Sequence, residues 1–364
     1  MAAIPQPQHT TAAAIYALHA QRVAAEQPRG YLGISQLGHP CERYLWLSWR
    51  WVAGDVPDAR MARLFDTGHR EEARVLDELR QAGMTVWDRD EFGRQFAVEA
   101  VHGHLRGHMD AVVTGLPEAP KTPHLVDVKT ANTKKFGELL KKGMRAVYPK
   151  YWAQAQGYMG LADLTRAAFI FVCKDDDRIH VERLEFDRVE FERLMARAER
   201  IVTAAEPPAR LGETADALDC RWCAFREHCH GQAVAEVNCR TCAHATAVTH
   251  GEPGEWRCAL ENVALDLPTQ RAGCNGHRFI PVLLERVATQ IDAADEPGGN
   301  LAVTYRLPDG STFVNGYPPA FSSAEIAAAQ AGAQMLGDEQ VQAIKAQVPT
   351  ARLVAAQATE AACL

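Results

Sequence analysis

The sequence predicts a mixed α/β fold, on three observations. Between about residues 60 and 82, Leu64, Val75, Leu76 and Leu79 recur at near-helical spacing and stop at Gly83. After that glycine the apolar period drops to two over 84–87, 95–101, 105–113 and 125–128, with turn residues between the stretches. An unbroken apolar run then follows, Ala167-Ala168-Phe169-Ile170-Phe171-Val172-Cys173, which reads as a buried strand. Helices, three or four strands, a helix, a strand and a helix, in that order, make a core with both parallel and antiparallel pairing.

The remaining elements fit around that core. Residues 11–26 are Ala-rich and read as a helix, and 34–51 as a second carrying Leu37, Tyr44, Leu45, Leu47 and Trp51. Polar helices are expected at about 133–142 and 151–161, a strand at 178–186 beside the apolar run, and an amphipathic helix at 188–204 ending before Pro207-Pro208. Residues 207–212 mark a boundary, and a cysteine-rich zone runs on to about 277. Residues 293–300, with Asp-Glu-Pro-Gly-Gly, read as a linker. Beyond it, 301–306 and 312–315 flank Pro308-Asp309-Gly310 as a hairpin, and Ala-rich helices such as 323–335 follow.

The bulk numbers are those of an ordinary globular chain: 364 residues, 47% hydrophobic and 23% charged. No stretch approaches the roughly 20 apolar residues a membrane helix needs, so no membrane partner is expected. The first ten residues are polar, with no Lys or Arg and no apolar core, unlike a signal peptide. A cytoplasmic location is the resulting expectation, and in a reducing compartment clustered cysteines more often bind metal or do catalysis than form disulfides. Of the ten, only Cys41 and Cys173 precede residue 220, seven lie between Cys220 and Cys274, and Cys363 sits at the tail. The net charge of −7 gives no global argument for a nucleic-acid partner. Locally the picture differs: Lys129, Lys134, Lys135, Lys141, Lys142, Arg145 and Lys150 share their stretch with a single acid, Glu138.

Two predicted strands carry acids. Asp110 lies within 105–113, and Leu125-Val126-Asp127-Val128-Lys129 places Asp127 and Lys129 on one face while Val126 and Val128 pack the core. Alone, an Asp-x-Lys strand is as readily a surface ion pair. Two carboxylates beside an amine, however, suit phosphodiester hydrolysis: the acids hold one or two Mg²⁺ ions that clamp the phosphate and acidify a water, and the lysine orients that water or neutralises developing charge.

These residues resemble the PD-(D/E)XK nuclease superfamily, in its RecB-like and phage exonuclease branch, over about residues 35–230. The resemblance implies a restriction-endonuclease-like core, a central mixed sheet flanked by helices, acting on DNA with Mg²⁺ or Mn²⁺. The family carries a glycine followed four positions on by a metal-binding His or Glu; Gly68-His69-Arg70-Glu71-Glu72 puts Glu72 there, with His69 second and Glu71 next. The family's Gln-x-x-x-Tyr is matched by Gln154-Ala155-Gln156-Gly157-Tyr158, Gln154 and Tyr158 sharing a helix face and Gln156 turned away. The resemblance implies that Glu72, Asp110 and Asp127 bind the metal and that Lys129, Gln154 and Tyr158 serve the reaction. Lys134, Lys135, Lys141, Lys142, Arg145 and Lys150 read as contacts to the DNA backbone.

Cys220-Arg-Trp-Cys223-Ala-Phe-Arg-Glu-His-Cys229 supplies three thiols, and Cys41 is the expected fourth. One distant cysteine before the nuclease motifs and three after them resembles AddB-type helicase–nucleases and the exonucleases of CRISPR adaptation, which implies a [4Fe–4S] cluster acting as a clasp. Zinc on the same four ligands is the alternative. Closing so long a loop is worth on the order of 4–5 kcal/mol if treated as a crosslink. Cys239, Cys242, Cys258 and Cys274 form a second set, C-x2-C-x15-C-x15-C, which reads as structural Zn²⁺, with His244, His250 and His277 as substitute ligands and Trp256 packed over it. Cys173 reads as core.

The expected organisation is a helical tail (1–32), a nuclease domain with its iron–sulfur clasp (33–232), a small cysteine-rich zinc-type module (233–290) and a small C-terminal α+β accessory region (291–364). The expected function is a DNA exonuclease of recombination, repair or phage replication in a bacterial or phage-infected cell. A single-strand annealing or recombination protein is the candidate partner. A CRISPR-adaptation nuclease and an inactive, metal-stapled scaffold are the other readings. Trp46, Trp49 and Trp51 read as core, or as platforms for unpaired bases.

Overall fold

The change of apolar period at Gly83 is the passage from helix to sheet. A computed structural model describes residues 10–27, 29–54 and 58–354; the N-terminal ten-residue reading and Cys363 fall wholly or mostly outside that range. In chain order the elements begin with α1 (Thr11–Ala25), β1 (Leu32–Gly33), α2 (Glu42–Trp49), α3 (Ala59–Gln81), β2 (Thr85–Trp87), β3 (Ala97–Ala100), β4 (Leu105–His108) and β5 (Ala111–Thr114). Next come β6 (His124–Ala131), α4 (Thr133–Lys142), α5 (Met144–Val147), α6 (Pro149–Leu161), β7 (Arg166–Cys173), β8 (Ile179–Glu185) and α7 (Arg188–Thr203). The chain goes on through α8 (Arg226–His230), β9 (Ala245–Ala247), β10 (Trp256–Cys258), β11 (Val263–Leu265) and α9 (Leu267–Ala272). It ends with β12 (Thr289–Asp295), β13 (Leu301–Arg306), β14 (Thr312–Asn315), α10 (Ser323–Ala328) and α11 (Glu339–Gln347). The described residues divide into two compact units, 1–39 with 55–200, and 40–54 with 201–364.

In the first unit a five-stranded sheet has the order β2-β5-β6-β7-β8. Only β6 and β7 run parallel, because three helices carry the chain back between them; the other pairs are antiparallel. This is the mixed α/β sheet the sequence predicts. Alternation decides its two faces. Val126 and Val128 join Ala168, Ile170 and Val172 on one face, where Val75 and Leu76 of α3 pack onto them. Asp127 and Lys129 share the opposite face with their register partners Phe169 and Phe171, both fully buried. Burial on both faces is why the β7 run has no polar alternation.

Two expectations in this half need correction. Residues 105–113 are two strands: β4 belongs to a small sheet of order β1-β4-β3, β5 to the large one, and Met109-Asp110 is the corner between them. Residues 34–51 are not one helix. A 3-10 turn at Ile34–Gln36 ends before Pro40, and α2 starts only at Glu42, capped by the Cys41 sulfur accepting from the Tyr44 amide at 3.4 Å. Proline bars the α conformation from the residue before it. Gly38 is needed for contact, since a Cβ there would stand 2.7 Å from the Lys150 Cα of α6.

The second unit holds two antiparallel three-stranded sheets, β11-β10-β9 and β12-β13-β14. Trp46, Trp49 and Trp51 are buried in its core, which removes the base-platform reading for all three. The fully buried Arg240 guanidinium lies 3.8 Å over Trp51, 4.5 Å over Trp49 and 4.7 Å over Trp256. It donates to Gln270 Oε1 and to the Trp49 carbonyl. The hairpin at β13–β14 is as expected, but part of the expected linker belongs to β12, whose seven residues are all exposed and so show no alternation. The helix expected at 323–335 stops at Ala328, and Gly332 breaks the 3-10 segment after it. Among the described residues no helix is long and apolar enough to cross a membrane.

Gly38→Ala should therefore cost about 1–3 kcal/mol by forcing the loop off α6. Urea unfolding checks this; a variant as stable as the parent would show that the approach is not tight.

Candidate active site

β6 delivers the two charges that its apolar alternation leaves on the α6 side. Asp127 is 1% exposed, forms an ion pair with the Lys129 ammonium, and accepts a 2.8 Å hydrogen bond from Gln154 Nε2. Lys129 also sits 5.4 Å over the Tyr151 ring. Asp110 is held differently. The β5–β6 pairing ends at Ala111 and Val126, and one step further Asp110 Oδ2 accepts from the Val128 amide at 3.2 Å. The carboxylate thus replaces the backbone partner that β6 loses when the chain turns away. α3 brings Glu72 near enough to feel the charges of Asp110, Lys129, His69 and Arg89.

Burial first, and like charges after it, set the protonation chemistry of the site. Burial pushes the Asp127 carboxyl up to about 7; Lys129 opposes this, and Asp110 and Glu72 add to it. Glu72 is raised as well, by burial and then by Asp110. For Lys129, burial works against the charge, yet Asp127 and Asp110 together hold it protonated, above the ordinary lysine range. The two partners of the pair therefore move in the same direction. For Asp127 we stand on the rise, because three carboxylates share one small site with a single close ammonium.

Tyr158 is 4% exposed, and burial followed by Asp127 and Asp110 keeps its hydroxyl protonated. Its ring fills the space left by Gly107, where a Cβ would lie 2.4 Å from Tyr158 Cε1. Gln156 points elsewhere, bridging the Glu185 carbonyl and the Asp187 amide. His69 is exposed, and Glu71 pairs with Arg74 at 3.5 Å, so Glu72 is the acid of this turn that meets the others. Lys134, Lys135, Lys141, Lys142, Arg145 and Lys150 are exposed along α4 to α6, with Lys135 on Glu138 and Arg145 over the Trp152 ring. Sequence reasoning missed Gly107, Tyr151 and Arg89. A lone glycine inside a strand pattern is a mark of close backbone approach, and that signal was there to be used for Gly107.

A profile of the PD-(D/E)XK nuclease superfamily matches residues 9–230. The chain belongs to this superfamily. No curated protein matches it. Several solved structures resemble it loosely. The crystal structure of an alkaline exonuclease, LHK-Exo, from Laribacter hongkongensis is 16% identical, covering 50% of this chain and 89% of that one, with a TM-score of 0.32. A phage-related exonuclease from Haemophilus somnus 129PT is 15% identical over 38% of this chain and 69% of that one, at 0.28. SSO0001 is 14% identical over 60% and 95%, at 0.35. The family assignment rests on the profile, and the mixed sheet flanked by helices fits its core.

Eight of the nine described cysteines sort into two groups within the second unit, and all nine are free thiols. Cys41, Cys220, Cys223 and Cys229 line one narrow cavity with Arg43 and Phe225. Burial raises the Cys223 thiol, and Cys229, Cys41 and Cys220 raise it further. Burial likewise takes Cys239 up to about 12, with Cys242, Cys274 and Cys258 adding to the rise. Of the substitute ligands, His244 is engaged with Asn300 at 2.8 Å and His277 with Thr241 at 3.2 Å. Burial takes His277 down to about 3, so it is neutral. Trp256 packs on Trp49 and Arg240. Cys173 is buried in β7.

Among the described residues, no three His, Cys, Asp or Glu side chains are disposed to hold a metal ion. This holds for the acids and for both cysteine sets, and no cage stands ready-made for the expected metals. The donor chemistry does fit each group: hard carboxylates for Mg²⁺ or Mn²⁺, and four mutually repelling thiols for zinc or a cluster.

A pH dependence follows for the metal-free chain. Because the folded Asp127 value lies above the unfolded one, its contribution to stability is complete below about pH 4 and is lost as pH rises through about 7. Asp127→Asn should gain stability relative to the parent across that window, measured by urea unfolding at pH 5 and pH 8. A difference between the two proteins that does not change with pH would refute the shift.

Proposed function

We propose that this chain is a metal-dependent deoxyribonuclease that degrades linear DNA as an exonuclease. The observation that carries the reading is the buried Asp127–Lys129 pair with Asp110 and Glu72 beside it. Glu72, Asp110 and Asp127 would hold one or two Mg²⁺ or Mn²⁺ ions, which supply Lewis acidity and acidify a water. Lys129 offers a permanently charged donor beside Asp127, suited to orienting the attacking water or neutralising charge on the phosphate. Gln154 fixes the Asp127 carboxylate, and Tyr158, wedged against Gly107, supports α6 behind it. The exposed lysines of α4, with Arg145 and Lys150, suit sequence-independent, salt-sensitive phosphate contacts. A role in recombination, repair or phage replication, with a single-strand annealing or recombination protein as partner, extends the family resemblance.

For the cysteines we propose a [4Fe–4S] cluster on Cys41, Cys220, Cys223 and Cys229, and Zn²⁺ on Cys239, Cys242, Cys258 and Cys274. Support comes from the sorting of the eight thiols into two sets of four, mostly half-buried and all free of disulfides. The first would tie α2 to the segment beyond α7 within the second unit. Protein purified without air should show the broad visible absorption of an iron–sulfur protein. A colourless protein with zinc in both sets would overturn the cluster assignment.

Linear DNA should be degraded with Mg²⁺ or Mn²⁺ and spared after chelation. Lys129→Ala should lower the rate by roughly 10²–10³-fold, the usual cost of losing one preorganised electrostatic donor. A Lys129→Ala protein as fast as the parent would defeat the assignment.

A further inference from the structure

The turn between β2 and β3 is densely hydrogen-bonded and displays one aromatic ring to solvent. Asp90 is its keystone. Its Oδ1 accepts from the amides of Phe92 and Arg94 at 2.9 Å each, and its Oδ2 takes the Arg94 guanidinium at 2.9 and 2.8 Å. The Asp90 amide donates to the Arg94 carbonyl at 2.8 Å, and Arg89 donates to the Gly93 carbonyl at 2.9 Å. Gly93, at φ +75°, closes the turn with no side chain in the way. Polar groups so fully committed to holding a turn leave Phe92 72% exposed, with only the Arg94 guanidinium over its ring, 5.0 Å from the centroid. A lone exposed apolar ring is ordinary on a protein surface, and only its place in the fold can name a partner for it.

Its position says what that partner is. The β2–β5 ladder pairs Trp87 with Val112 and stops there, and Arg89 pairs instead with Gln95 across the turn. On the other arm the Met109 amide donates to the Phe96 carbonyl at 2.9 Å. The β3 arm therefore starts beside the corner that holds Asp110, and Arg89 is close enough to act on the charge of Glu72. Three residues of extended chain span at most about 10 Å, which is about three nucleotides at 3.4 Å per nucleotide of a strand. With Arg89 and Arg94 both engaged in holding the turn, the exposed face of the Phe92 ring is what matches an unpaired base.

We propose that Phe92, held by Asp90 and backed by Arg94, stacks on an unpaired base near the end of the strand being degraded, and so sets which ends the nuclease accepts. The proposal rests on the DNA-nuclease reading. Phe92 acts as a binding and positioning residue and takes no part in bond cleavage.

The test uses the whole chain with Lys129→Ala to slow cleavage, without added divalent metal, and a duplex whose 2-aminopurine sits in an unpaired overhang at one end. Stacking quenches that base. The Lys129→Ala protein should bind the duplex and quench it; adding Phe92→Ala should abolish the quench and weaken Kd by roughly 5- to 150-fold, the range for one base–aromatic stack. Phe92→Trp should keep both signals. If Phe92→Ala binds and quenches like its parent, the stacking proposal is wrong while the DNA reading stands. If the parent itself binds no DNA, both fall.

Discussion

Two opposite charges on an inner strand of the five-stranded sheet, among apolar neighbours, set the terms for the first unit. Asp127 and Lys129 sit on β6 with valines on the other side of the strand and buried phenylalanines beside them on β7. Burying such a pair seldom stabilises a protein, because desolvation cancels most of the attraction. The surrounding structure is arranged to tolerate the charges. α3 seals the far face of the sheet, α6 brings Gln154 to the second carboxylate oxygen, and the break between β4 and β5 brings Asp110 to the Val128 amide. Glu72 and Asp110 then add negative charge beside a pair that is itself neutral, an environment suited to a cation.

The parts of this site legible in the sequence were those that obey a period. Asp127 and Lys129 stood out because the residues alternating with them are valines; Glu72, Gln154 and Tyr158 were implied by the family resemblance, helical spacing placing Gln154 and Tyr158 on one face. What escaped was aperiodic. The Asp110 corner looks like one strand because both halves are apolar, and nothing local says that the chain changes sheets there. β12 was lost for the opposite reason, since an edge strand exposed on every residue has no apolar face to read. The helix read over 34–51 ran through Pro40 because buried side chains continue on both sides of the break, as tertiary packing demands and helical period does not.

In the second unit the three tryptophans of α2 and its C-terminal end serve the core. They cage Arg50 and Arg240 with Trp256, and aromatic faces and backbone carbonyls do the work an acid would do elsewhere. Arg240 lies between Cys239 and Cys242 in sequence, and Cys41 caps the same α2 whose far end cages it. Both groups of thiols therefore hang from one short helix and its tryptophans. The pattern of cysteines was visible from spacing; the aromatic cage that supports it needed the fold, because its members come from segments almost 200 residues apart, as the spacing of 191 between Arg240 and Trp49 illustrates.

The central claim is that the acids around Asp127 await a divalent cation. Calorimetric titration of the protein with Mn²⁺ at pH 7, repeated in buffers of different ionisation enthalpy, tests this most directly, because it counts the protons exchanged on binding. With the Asp127 carboxyl raised to about 7, binding at this site should release a substantial fraction of a proton, and Asp127→Asn should abolish that release. Binding without proton release, or release that persists in the variant, would contradict the account.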